Sequence, residues 1–157
     1  MVIRAPSGRA VYDERVVWNG MPSALRAYHL ELGTLSLAEN LCSVTHSDTP
    51  IQYLLMAYPG IVDMAEDEEE IAFSEELIAF SDCIGNGDMF CFHRETGDVY
   101  YFDHDTGDML TRSFSSVQEY LDALMIRCLS EVYEDDERGE RLLIERFGEY
   151  VVKKWLY

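Results

Sequence analysis

The stretch Asp88–Phe114 constrains the fold most, because its apolar side chains alternate with a period of two through three short segments. The segment MFCFH (89–93) places Phe90 and Phe92 on one face, and VYYFDH (99–104) and MLTRSF (109–114) continue as strands. Turn residues separate the segments, and the triplet Thr-Gly-Asp occurs at 96–98 and again at 106–108. Because glycine reaches positive φ at little cost, each triplet predicts a tight turn. The pattern therefore predicts a β-meander.

The residues after the meander have the spacing of helices. Ser115 precedes them as a candidate N-cap, with Gln118 in the capping-box position. The apolar positions recur every three or four residues: Val117, Tyr120 or Leu121, Leu124 and Cys128. The acidic stretch 134–137 interrupts this helix, and a last helix is predicted over 138–157. Its buried stripe is predicted to contain Leu142 or Leu143, Phe147 and Val151.

The N-terminal half has weaker patterns. Ser36 and Glu39 have the spacing of a capping box and predict a helix over 37–44. The segment 25–32 is ambiguous between a short strand and a short helix, and its alternation suits a strand. The apolar segment 49–60 fits either a short helix or a buried strand.

Charge is the bulk property that most limits function. Thirty acidic residues against twelve lysines and arginines produce a formal net charge of −18. Such a surface repels nucleic acid and anionic membranes and attracts basic proteins, so we expect a protein partner rather than nucleic acid or membrane. The densest acidic run is predicted to be an exposed loop or a solvated face: Glu66, Asp67, Glu68, Glu69 and Glu70.

Length and composition predict one domain over 1–157 with a hydrophobic core, since 48% of the 157 residues are hydrophobic. No apolar run approaches the ~20 residues of a membrane span, and the N-terminus lacks the apolar region of a signal peptide. The four cysteines form no C-x-x-C pair and are predicted to be reduced core residues. These features predict a cytoplasmic protein.

The cluster Asp103-His104-Asp105 is the best candidate for metal or acid–base chemistry. It fails as an EF-hand, because counting from Asp103 puts glycine at the fifth position and Phe114 at the twelfth. His93 and His104 are predicted on neighbouring strands and so able to approach, but they form no compact ligand pair. Cys91 and His93 share a strand face without an acid to orient them. We therefore predict no cofactor, no metal and no catalysis, with a small acidic enzyme or metal-binding protein as the alternative.

Three motifs follow one another between Ile78 and Leu124. A G-x-G-D motif contains Gly85, Gly87 and Asp88. A G-x-V-Y-Y-x-D-H-D motif contains Gly97, Val99, Tyr100, Tyr101, Asp103, His104 and Asp105. A helix motif contains Phe114, Tyr120 and Leu121. In this order they resemble the SUKH superfamily, the Smi/Knr-type domain named after yeast proteins.

The resemblance implies an α+β domain with a central, mostly antiparallel sheet flanked by helices. Residues 77–124 are the best-matching core, 1–76 the divergent part and 138–157 the C-terminal helix. Bacterial members of the superfamily look like immunity proteins that bind and neutralise toxins, many of them nucleases, and other members act as interaction modules. We therefore hypothesise a non-catalytic immunity protein for a basic toxin domain, with a regulatory interaction domain as a further alternative. The acidic run, Tyr100 and Asp103-His104-Asp105 are the candidate partner-binding residues.

Overall fold

The computed structural model describes residues 2–4, 21–28, 34–36, 43–44, 51–83, 87–106 and 109–156. Within these ranges the strands are β1 Val2–Arg4, β2 Thr34–Ser36, β3 Ser43–Val44, β4 Gln52–Tyr53, β5 Leu77–Cys83, β6 Asp88–His93, β7 Val99–Phe102 and β8 Leu110–Phe114. The helices are α1 Ser23–Ala27, α2 Leu54–Ala57, α3 Ile61–Met64, α4 Glu68–Glu75, α5 Val117–Val132, α6 Asp136–Phe147 and α7 Glu149–Leu156. The described chain is thus an α+β structure, as predicted.

The main sheet is antiparallel and has six strands, in the order β3-β5-β6-β7-β8, with β4 also paired to β5. Strands β6, β7 and β8 are the predicted meander, and Phe90 pairs with Tyr101 at its centre. The strand predicted over 99–104 is two residues too long. Strand β7 ends at Phe102, and the next two residues belong to a turn.

Both faces of the sheet are covered by helices. Phe90 and Phe92 lie in a buried cluster with residues of α1, α5, α6 and α7, whereas Cys91 and Phe102 lie in a second cluster with residues of α2, α3 and α4. The alternation seen in the sequence is therefore correct, but both of its faces are apolar and both are buried. A sheet between two helical layers buries more apolar surface than a sheet with one solvated face.

Tyr120 of α5 is the centre of the first cluster. Its ring lies 5.1 Å from that of Phe80 and 4.7 Å from that of Phe90, and its hydroxyl is 2.8 Å from the Ser81 hydroxyl. A bulge in β5 between Ala79 and Ser81 leaves Phe80 and Ser81 both in contact with Tyr120. This packing anchors α5 to the sheet.

The caps and breaks of the C-terminal helices differ from the prediction. Ser116, not Ser115, caps α5, because its hydroxyl accepts a hydrogen bond from the Glu119 N–H, and the Glu119 carboxylate accepts one from the Ser115 N–H. The single helix predicted over 138–157 is two helices, α6 and α7, which meet at Gly148 with φ of 91°. Glycine adopts this positive φ at little cost, and α6 ends there.

In the N-terminal half, the helix predicted over 37–44 is wrong where the structure describes it, and the ambiguous segment 25–32 does not take the strand that its alternation favours. The sequence predicts a helix over 37–44 with Ser36 as its cap. Ser36 instead lies in β2, and Val44 lies in β3, where it pairs with Ser81 of β5. Residues 37–42 lie outside the described ranges. The first residues of the segment 25–32 belong to helix α1, whose Leu25 is fully buried. Tertiary pairing and burial override such short local patterns. The ambiguous segment 49–60 contains both elements, β4 and then α2.

Candidate partner-binding site

The turn that follows β7 is held by Asp88, the first residue of β6. Met89 pairs with Phe102, which brings Asp88 beside the residues just after β7. The Asp88 carboxylate accepts hydrogen bonds from the Tyr101 hydroxyl at 3.0 Å, the His104 N–H at 3.1 Å and the His104 Nδ1 at 2.8 Å. Since Asp88 is buried, these donors replace the water that its charge would otherwise require.

The charges around this carboxylate change the proton affinities of its donors. The hydrogen bond to Asp88 raises the pKa of His104 above its ordinary value, and the nearby Asp105 carboxylate adds to the shift. His104 Nε2 lies 3.1 Å from Asp105 Oδ1, so an imidazolium ion can donate to both acids. Burial and the Asp88 charge raise the pKa of Tyr101, which keeps its hydroxyl protonated as a donor.

Gly87 allows the His104 ring to approach the start of β6. Its φ of 108° lies in the region that favours glycine, and a Cβ added there would sit 3.4 Å from His104 Nδ1. On the other side, the Tyr58 ring lies 5.9 Å from the His104 ring. Gly87 and Asp88 of the first motif therefore contact His104 of the second.

The two aspartates beside His104 have different roles. Asp103 Oδ1 accepts a hydrogen bond from the Asp105 N–H at 3.0 Å, and the Asp103 N–H donates to the Met109 carbonyl at 2.9 Å. Asp103 Oδ2 lies 3.6 Å from Nζ of Lys154, which ties α7 to this turn. The Asp105 side chain, by contrast, is 78% exposed. Asp103 and His104 thus shape the turn, and Asp105 faces solvent.

The first Thr-Gly-Asp triplet forms the tight turn that the sequence predicts. Gly97 has φ of 76°, its N–H donates to the His93 carbonyl at 2.8 Å, and the His93 N–H donates to the Asp98 carbonyl at 2.9 Å. A hydrogen bond from Arg112 at 2.8 Å lowers the pKa of Asp98. The glycine and aspartate of the second triplet, 107 and 108, lie outside the described residues.

The acidic run forms the beginning of α4 and is exposed. Asp67 is the N-cap, with Oδ1 accepting a hydrogen bond from the Glu70 N–H at 2.9 Å, and the Glu70 carboxylate accepts one from the Glu66 N–H at 2.9 Å. Glu68 and Glu69 occupy the first turn and are exposed to solvent. Their negative charge is favourable near the positive end of the helix dipole. The run is therefore a solvated face that also starts a helix.

The Tyr100 side chain packs between the sheet and α4 and is not fully exposed to solvent. Its ring meets that of Phe73 edge to face, with centroids 5.1 Å apart, and its side chain is half-buried. The structure thus distributes the predicted site residues over three places: the N-terminus of α4, strand β7 and the turn after β7. Tyr100 and Phe73 of α4 lie on the side of the sheet that α2, α3 and α4 cover, whereas the turn after β7 also contacts Lys154 of α7.

The alternatives based on His93 and Cys91 meet structural obstacles. His93 lies at the opposite end of β6 from His104, and its Nδ1 accepts hydrogen bonds from the Glu95 and Thr96 N–H groups, so the predicted approach of the two histidines is wrong. Cys91 is fully buried and burial raises its thiol pKa, the opposite of what a nucleophilic thiolate needs. Among the described residues, no three His, Cys, Asp or Glu side chains are grouped to hold a metal ion.

Asp88, Tyr101 and Lys154 take part in the turn, but sequence reasoning did not single them out as site residues. The signal for Asp88 was partial: the sequence predicts that β6 and β7 pair, but only the structure shows the register that pairs Met89 with Phe102 and puts Asp88 next to the end of β7. Lys154 had no such signal, because its contact with Asp103 depends on where α7 packs.

An antiparallel sheet between two helical layers, with a turn clamped by a buried aspartate, defines an α+β domain whose prominent motifs stabilise its structure. The model of the SMI1 / KNR4 family (SUKH-1) matches residues 20–123, more than half of the chain. The chain belongs to this family, and its membership is consistent with a protein-binding role. The match also includes most of the segment 1–76. No curated protein and no solved structure matches the chain.

In the part of the chain that the structure describes, none of the helices combines the length and the apolar composition needed to cross a membrane.

Proposed function

We propose that this protein is a cytoplasmic, non-catalytic immunity protein, a single domain over 1–157, that binds and neutralises a toxin with a basic surface. The observation that carries the proposal is the exposed acidic start of α4. There the backbone holds Glu68 and Glu69 in solvent, while Asp67 and Glu70 secure the helix end. Membership in the SMI1 / KNR4 family supports the protein-binding part of the proposal.

Charge complementarity explains how such a surface would act. A nuclease domain that binds phosphates presents clustered lysine and arginine side chains. A chain with net charge −18 attracts that surface over a distance comparable with the ~8 Å Debye length of physiological salt, which speeds encounter. Covering the basic surface would exclude the nucleic acid substrate. This mechanism needs no catalytic group.

The turn after β7 would contribute a second acidic contact. Asp105 is exposed, and the hydrogen bonds of Asp103 and His104 hold it in place. Tyr100 is half-buried against Phe73, so only part of its ring is open to a partner. In this proposal Asp105 and the exposed part of Tyr100 touch the toxin, whereas Asp103 and His104 position the turn.

The test uses the toxin domain encoded beside the gene of this protein. We expect the full chain to bind this domain and to abolish its toxicity at equimolar amounts, with an association rate that falls steeply as salt is added. A folded toxin domain that is neither bound nor inhibited would contradict the proposal. Binding without inhibition would support the alternative of a regulatory interaction domain.

A further inference from the structure

The outer face of the α5–α6 hairpin exposes a stripe of apolar side chains. The exposed fractions are 38% for Met125, 47% for Leu129, 47% for Val132 and 75% for Tyr133. These positions are spaced by four, three and one residues, which places them along one side of α5 and its C-cap. The opposite side of α5 carries Tyr120, Leu124 and Cys128 into the core. Helix α5 thus has two apolar faces, of which the sheet covers one.

A groove of about 230 Å³ runs beside this stripe, between α5 and α6. Ile126, Leu129 and Tyr133 line one wall, and Leu142 of α6, itself 42% exposed, lines the other. Gly139 forms the floor, where α6 comes so close to α5 that an added Cβ would lie 2.3 Å from the Ser130 Cβ. The groove has room for a large apolar side chain. Apolar pockets of this kind hold the anchor residues of protein interfaces.

The concentration of exposed apolar residues sets this surface apart. Among the residues whose exposure the structure describes, seven large hydrophobic side chains are exposed, and five of them are Met125, Leu129, Val132, Tyr133 and Leu142. Scattered exposed hydrophobic residues are ordinary in soluble proteins, but a contiguous group beside a groove indicates an interaction surface.

The charge next to the groove identifies the chemistry of its occupant. The segment 131–137, at the end of the hairpin, contains five acidic residues and no lysine or arginine. Arg138 offsets Asp135 in the lining of the groove, and Arg127 pairs with Asp136 at 3.3 Å, so the remaining acids of the segment leave its mouth negative. A second copy of this chain would bring two such segments and two net charges of −18 together, which disfavours self-association. A basic partner meets no such repulsion.

We propose that this groove binds an apolar side chain on a helix of a basic protein partner, with lysine or arginine residues of that helix facing the segment 131–137. The inference rests on the proposed function in requiring a basic protein partner. The inference adds a second binding surface, on α5 and α6. These helices contain neither the acidic run nor the turn after β7. The partner would then be held by apolar contacts at the groove and attracted by charge.

The direct probe is a synthetic helical peptide of leucine and lysine, with the leucines along one face, titrated calorimetrically into the full chain. We expect the double variant Leu129→Gln, Leu142→Gln to bind it at least about tenfold more weakly than the wild type, because it removes two anchor contacts. Both leucines are exposed, so the fold should tolerate glutamine. The matched control Val62→Gln, at a side chain 56% exposed on α3, should leave the affinity unchanged.

Several results would overturn the inference. These are a wild type that does not bind the peptide, equal binding by the double variant, or equal binding of a peptide with glutamate in place of lysine. Nuclear Overhauser contacts between residues 5–20 and the Leu129 methyl groups in the free protein would show that the chain itself covers the groove. A wild-type dimer that the double variant dissociates would make a second copy the occupant.

The toxin assay separates this inference from the proposed function. Neutralisation by the wild type, together with at least about tenfold weaker toxin binding by the double variant, supports both. Equal binding and neutralisation by the double variant would overturn the groove as the toxin contact and leave the proposed function intact. If the toxin domain is not bound by the wild type, the proposed function fails, and the peptide titration still decides whether the groove takes a basic amphipathic helix.

Discussion

The Asp88 carboxylate accepts two hydrogen bonds from His104, one from its backbone N–H at 3.1 Å and one from its ring Nδ1 at 2.8 Å. The two residues are 16 positions apart, and the pairing of β6 with β7 brings them together. The acidic cluster after β7 looks like a metal loop in the sequence, but its histidine is engaged by a buried carboxylate. The contact between Asp88 and His104 therefore stabilises the turn after β7.

Replacing Asp88 should destabilise the protein strongly. In Asp88→Asn the two His104 donors that bind Oδ1 lose a charged acceptor, and an amide NH2 group replaces the Oδ2 atom that accepts from the Tyr101 hydroxyl. We expect a loss of about 2–4 kcal/mol in the free energy of unfolding, measured by urea denaturation. The control Asp105→Asn, at a side chain 78% exposed, should cost less than about 1 kcal/mol. Equal effects of the two substitutions would contradict the role assigned to Asp88.

The contact between Asp88 and His104 should make stability depend on pH above the ordinary pKa of histidine. Because Asp88 raises the pKa of His104 in the folded protein, the folded state binds the proton more tightly than the unfolded state. The resulting stabilisation is complete below the unfolded pKa of about 6.5 and is lost as pH rises through the higher folded value. The difference in unfolding free energy between the wild type and His104→Gln should therefore shrink with rising pH. Differences that stay constant from acidic to alkaline pH would count against this linkage.

Gly139 should be required for the close contact of α5 and α6. An alanine Cβ there would lie 2.3 Å from the Ser130 Cβ and 2.7 Å from its Oγ, so the helices must separate. We expect Gly139→Ala to lower the free energy of unfolding by about 1–3 kcal/mol, although alanine favours helix more than glycine does. Because Ser130→Gly removes the atoms that clash, Gly139→Ala should cost much less in the Ser130→Gly protein than in the wild type. An equal cost of Gly139→Ala in both proteins would refute the steric explanation.

The exposed acids of α4 should govern how fast the toxin domain is captured. Glu69→Lys reverses a charge in the first turn and leaves the hydrogen bonds of Asp67 and Glu70 unchanged. We expect a several-fold slower association at low salt and little change in the dissociation rate, measured by stopped-flow fluorescence. The control Glu145→Lys makes the same charge change at an exposed residue of α6 and should have a smaller effect. Equal slowing by both variants would mean that net charge matters but this location does not.

The elements that the sequence predicted best are those in which one period persists. Phe90 and Phe92 alternate with other residues along β6, and Val99 and Tyr101 do so along β7. The structure places all four in one cluster. The helix containing Tyr120 was predicted for the same reason, although its cap is Ser116 rather than Ser115. The predicted helix over 37–44 failed at Val44, because pairing with Ser81 of β5 decides the conformation there. Two residues of strand carry too little local information to resist such pairing.

The sequence by itself determined the meander, the helix after it, the acidic surface and the order of the family motifs, because each depends on neighbouring residues or on composition. Tertiary structure alone decided that Asp88 holds His104, that Lys154 reaches Asp103, and that α5 leaves Leu129 and Tyr133 beside a groove. These relationships join residues far apart in the chain or depend on which side of a helix the core covers. An apolar residue in a sequence looks the same whether the fold buries it or leaves it open to a partner.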